Sequence, residues 1–158
     1  APAVVLLGLR YLPRDLAVKL RGIEVAPPVI AIVAMTTFVV APGNVLWSTA
    51  LHEFGAIGLL VAAIGAALPE EFYRLLVQTR LGALSKNAAA AWFVATALWA
   101  LMHTPKWYGE SGDLRGALFS AVRIAPIGLL WGYLTHRTGS VLPAILVHGT
   151  NLWGLQNS

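Results

Sequence analysis

Read for its hydrophobic and polar positions, the chain is a series of long apolar runs separated by short polar punctuation. No low-complexity tract and no clear internal repeat interrupts the pattern. Five runs predict helices at about 26–41, 45–80, 88–104, 115–135 and 140–155. Several fall short of the roughly 20 apolar residues that span a bilayer, so tilt or burial among neighbours has to make up the difference. Ahead of them, "RYLPRDLAVKLRG" sets basic and apolar residues at helical spacing. That suits a helix lying on an anionic membrane surface, although a plain linker fits the same residues. The opening "APAVVLLGL" is too short to span, so residues 1–25 are expected to be a truncated or interfacial segment and 26–158 one helical domain.

Composition turns the helical reading into a membrane reading. Hydrophobic residues make up 58% of the chain and charged ones 11%, with a mean hydropathy of +0.71. A chain of 158 residues this apolar has too few polar groups to cover its surface in water. The expected fold is therefore all-α, a polytopic transmembrane bundle of about five spans in one domain. There is no cysteine, which excludes disulfides, thiolate metal sites and a cysteine nucleophile. A net charge of +4 and a pI near 9.9 come from single charges scattered between apolar runs, so no basic stripe for nucleic acid forms.

Those charges read instead as topology signals. Arg10, Arg14, Lys19 and Arg21 precede the first run and are expected in the cytoplasm. The expected location is integral to a membrane, the plasma membrane of a prokaryotic cell. Pro42 and Gly43 then fall outside, Arg80 and Lys86 inside, the loop from Lys106 to Asp113 outside, and His136 and Arg137 inside. Trp47, Trp107 and Trp153 lie near the proposed outer ends, where amphipathic rings are favoured; Trp92, Trp99 and Trp131 serve equally as packing residues.

Ionisable groups inside such runs need a reason, because each costs about 2.5–3.5 kcal/mol even on the gentler insertion scales. "ALPEEFYRLL" (67–76) carries Glu70, Glu71 and Arg74. Glu70 and Arg74, four apart on one helical face, are suited to neutralising each other. Two further runs carry proton-handling or hydrogen-bonding groups: His103 in "WALMHTP", and His148 with Asn151 in "LVHGTNLWG". At 1.5 Å per residue, Glu70 lies roughly 15 Å up from Arg80 and His148 at a similar height above Gly139, with His103 several Å higher. A lone buried histidine is more often a hydrogen-bonding residue than a catalyst, and Asn151 alone is suited to joining helices. Their coincidence at comparable depth on separate runs points to a site.

From about Leu68 to Gly154 the chain resembles the CPBP intramembrane proteases, the CAAX prenyl endopeptidase or Abi family. The resemblance rests on "EEFYR", the aromatic-x-x-x-His spacing of Trp99 and His103, the connection "WGYLTHRTGSVLPAILVH", and the step from His148 to Asn151. It implies a helical membrane bundle that hydrolyses peptide bonds, with a glutamate and a histidine activating water and the last His and Asn stabilising the oxyanion. Two motifs are each one residue shorter than the family's Glu-Glu-x-x-x-Arg and His-x-x-x-Asn. Anchored on the carboxylates, Glu70 keeps its role and Arg74 still faces it; anchored on Arg74, Pro69 falls where the leading glutamate belongs and the chain would be an inactive relative.

The chemistry follows from the residues. Glu70 or Glu71 would take a proton from water while Arg74 holds the pair; His103 would share the water or ligate a metal such as zinc, with His148 as a second ligand; His148 and Asn151 would donate to the oxyanion. The local His-Glu-x-x-His arrangement of zinc peptidases is absent from the sequence. Expected partners are the bilayer and a peptide or protein substrate, prenylated or leader-type. The alternatives are an inactive relative that binds partners or confers bacteriocin immunity, and a small proton-coupled carrier using the same residues as a relay.

Overall fold

The computed structural model describes residues 20, 22–40, 55, 57–58, 60–61 and 63–154 and, of 36–40, 63 and 151–154, the backbone alone. Every regular element among them is helical, and no strand occurs among the described residues. A 3₁₀ turn, Ile23–Val25, leads into α1 (Ala26–Val40), and a π turn, Ala63–Ala67, leads into α2 (Leu68–Ser85). The remaining helices are α3 (Ala88–Leu101), α4 (Thr104–Ser111), α5 (Leu114–Thr138) and α6 (Leu142–Gly154). The all-α expectation holds. Among the described residues α5 is the one helix long and apolar enough to cross a membrane by itself, with Ile23–Met35 a shorter apolar stretch. The surface helix or linker expected over residues 10–19, and the start of the second run over 45–54, lie outside the described residues.

Two local features differ from the sequence expectation. The second run is not one continuous α-helix: the π turn inserts an extra residue before α2, which offsets the face that follows by about 100°. And the expected loop from Lys106 to Asp113 is mostly helix. α3 stops at Leu101 because Pro105 has no N–H and its ring excludes the carbonyl four residues back. Proline is at home in the first turn of a helix, so the chain restarts at once as α4, with His103 at the N-cap position between the two. Gly112, in the left-handed conformation at φ 69, ends α4.

The chain divides into two compact units, residues 1–72 with 134–158, and residues 73–133. In the first, α6 packs against the π turn and α1. Its buried face comprises Val141, Ala144, Ile145 and Val147. The turn feeding α6 is closed locally: Thr138 Oγ1 donates to the Leu134 carbonyl at 2.7 Å, Gly139 takes a left-handed φ of 65, and the Leu142 N–H donates to Ser140 Oγ at 3.3 Å. In the second unit, Trp99 and Trp131 meet edge-on with centroids 5.3 Å apart and are both fully buried. A Cβ on Gly128 would stand 2.6 Å from the Trp99 ring, and one on Gly132 2.8 Å from the Trp92 ring. Glycine four residues apart is what lets α5 approach α3 this closely. The opposite faces are apolar too: Phe93, Leu98 and Leu101 of α3, and Leu118, Phe119 and Val122 of α5, are exposed. Such an apolar exterior suits lipid and not water.

Candidate active site

The first unit brings together Glu70, Glu71 and His148. Both carboxylates sit in the first turn of α2, straight after the π turn. Their environments differ. Glu71 is buried, with 1% exposure, and its Oε1 lies 3.0 Å from Nδ1 of His148, itself fully enclosed. Glu70 keeps 22% of its side chain exposed, and its Oε2 stands 3.7 Å from Nε2 of the same ring.

His148 is therefore bracketed by one carboxylate at each nitrogen. A carboxylate accepts, so Nδ1 is the nitrogen that donates to Glu71, which fixes the ring plane and leaves Nε2 as the atom presented towards Glu70. At 3.7 Å the Nε2–Oε2 separation is too long for a direct hydrogen bond.

The second unit contains Arg74 and His103. Arg74 is 2% exposed, its Nη1 donates to the Gly128 carbonyl, and its guanidinium carbon lies 6.0 Å from the centre of the Trp131 ring. The absence of a side chain at Gly132 makes room, since a Cβ there would come within 3.0 Å of Nη1. His103 is half-buried at the α3–α4 break. Its Nδ1 lies 2.9 Å from the Trp99 carbonyl, which can only accept, so Nδ1 is the donor in that contact. Trp99 packs edge-on against the imidazole at 4.9 Å and Trp107 stacks on it at 5.5 Å and 28°. Trp107 is thus a packing partner of His103, a role its position near a proposed outer end did not suggest. Asn151 falls on α6 one turn after His148, and its side chain lies outside the described residues.

A catalytic zinc takes three protein ligands. Glu70 and His148 offer two adjacent donors, and among the described residues no group of three or more His, Asp or Glu side chains is arranged to hold a metal ion.

The sequence reading missed the glycine pair. "GLLWG" (128–132) is a small-xxx-small signature in an apolar helix, and it was the available signal for where α5 receives Arg74 and the tryptophans.

No curated protein and no solved structure matches the chain. A family model does: that of the type II CAAX prenyl endopeptidase Rce1-like proteins, over residues 52–153. The match takes in the paired carboxylates, His103, the "RTGS" connection and His148, and runs through most of the chain; the chain belongs to the type II CAAX prenyl endopeptidase Rce1-like family.

Proposed function

We propose that the chain is an intramembrane endopeptidase that cleaves prenylated peptide substrates with a water activated by glutamate and histidine. The observation that carries this reading is the bracketing of His148 by Glu71 at Nδ1 and Glu70 at Nε2. Glu70, the less buried carboxylate, takes a proton from a water held beside it. That water attacks the scissile carbonyl carbon, and Glu70 returns the proton to the departing amine. His148, held by Glu71, offers Nε2 to the reacting centre; the family resemblance assigns His103 a share in activating the water and makes Asn151 a donor to the oxyanion. Arg74 anchors α2 through Gly128 and Trp131.

The membrane frame of this proposal is a polytopic bundle with Arg80 and Lys86 on the cytoplasmic side. Its test is reconstitution in liposomes with matched prenylated, unprenylated and leader-type peptides. Cleavage of the prenylated peptide next to its modified cysteine is the expected product, and no product from any peptide would favour an inactive, partner-binding relative, the reading to which the two shortened motifs lend support. The alternative in which His103 and His148 hold a divalent metal such as zinc predicts loss of cleavage on chelation and its return with zinc; direct activation of water predicts indifference to chelator.

A further inference from the structure

Away from the catalytic residues, the corner between α2 and α3 combines an apolar cavity with a lysine held in an unfavourable backbone conformation. Leu81, Leu84, Ser85, Ala90, Ala91 and Val94 line a cavity of about 290 Å³. A water occupies about 30 Å³ and a methylene group is of similar size, so on the order of ten methylenes fit.

Lys86 turns the corner at φ 52, the one positive φ outside glycine among the described residues. Its neighbours fix the turn: the Asn87 N–H donates to Ser85 Oγ at 3.2 Å, and Asn87 Oδ1 accepts from the Ala90 N–H at 3.0 Å, capping α3. Glycine would satisfy that backbone without the steric penalty a Cβ brings. A lysine is there instead, exposed, and its amine makes no ion pair among the described residues. Between Glu71 and Glu110 the sequence has no acidic residue.

An alkyl-sized groove whose Ser85 is followed in the chain by an exposed lysine with no ion pair among the described residues matches an amphiphile with an anionic head. We propose that this corner binds one anionic phospholipid, an acyl chain in the groove and the phosphate on Lys86. The leaflet that positive charge selects is the one rich in such lipids. The inference rests on the membrane placement and is independent of peptidase chemistry, so a failed cleavage assay leaves it standing.

The test compares phosphatidylglycerol with phosphatidylcholine of identical chains, added to the purified protein in neutral detergent and followed by thermal unfolding and native mass spectrometry. The expected result is a saturable rise in Tm and a retained single lipid with phosphatidylglycerol alone. Lys86→Gln should weaken the response about tenfold, and Ala90→Trp, which fills the groove from an exposed position, should remove it. Lys86→Gly separates charge from strain: it should melt above the parent protein without lipid and yet gain nothing from phosphatidylglycerol. Equal responses to both lipids, a Lys86→Gln variant that responds like the parent, or displacement of the lipid by an uncharged prenyl alcohol at equal concentration would overturn the proposal.

Discussion

At the scale of single residues, the two adjacent glutamates of α2 differ in what they touch. Glu70 is the partly exposed member facing Nε2 of His148, and Glu71 the enclosed one at Nδ1. Glu70→Gln keeps size and hydrogen bonding but removes basicity, so turnover should fall by about 10²–10⁴, the usual contribution of a general base, with thermal stability unchanged. Glu71→Gln still accepts from Nδ1 and should lose only about 10–100-fold, as partners that orient a functional histidine do. Glu71→Leu strands a buried donor instead, which costs about 1–3 kcal/mol and should appear as a lowered Tm. Rates and melting of the three purified variants check the assignment; full activity in Glu70→Gln with loss in Glu71→Gln would exchange the two roles. His103→Ala and His148→Ala should each lower turnover strongly, and the double variant scarcely further, because residues acting as a unit are not additive.

At the scale of elements, what holds the second unit is the fit of α5 against tryptophan and arginine side chains. Gly132→Ala places a methyl group 2.8 Å from the Trp92 ring and 3.0 Å from the Arg74 guanidinium, and Gly128→Ala one 2.6 Å from buried Trp99. Each should destabilise by about 1–3 kcal/mol, the range for overpacking a tight core, and thermal unfolding in detergent measures it. The same helices show what the sequence made legible. Apolar run length located α1, α3, α5 and α6 to within a few residues, because a run bounded by charges, proline or glycine leaves few places to stop. α4 escaped, since "TPKWYGES" has no apolar stripe and begins with a proline that reads as a breaker until it is seen to start a new helix. The π turn escaped because "AIGAA" offers no polar position against which an extra residue could be noticed. Of the site, the carboxylates and His148 were found from the cost of placing them among apolar residues, whereas the bond from His103 to the Trp99 carbonyl depends on where α3 breaks, which only the backbone reveals.

At the scale of the whole molecule, the exterior and the charges have to agree on one orientation. Phe93, Leu98, Phe119 and Val122 are exposed along helices whose other faces are packed, a distribution that lipid tolerates and water does not. Positive charge at the ends of the runs then sets direction: Arg80 and Lys86 lie at the α2–α3 corner, while Lys106 and Arg115 near α4 are offset by Glu110 and Asp113. Lys106 and Glu110 stand 4.0 Å apart on the surface of α4. An exposed pair of this kind contributes little stability, but it cancels the topological weight of the lysine. The α2–α3 corner should therefore face the cytoplasm and α4 the opposite side. The chain has no cysteine, so single cysteines at exposed positions 86 and 110 report on this without background. In intact cells a membrane-impermeant thiol reagent should label Glu110→Cys and reach Lys86→Cys only after the membrane is opened. Labelling of position 86 with protection of position 110 would invert the orientation and move the lipid site to the other leaflet. Labelling of both in intact cells would mean that the segment between them does not cross the membrane, and the proposed placement of His103 within the bilayer would fall with it.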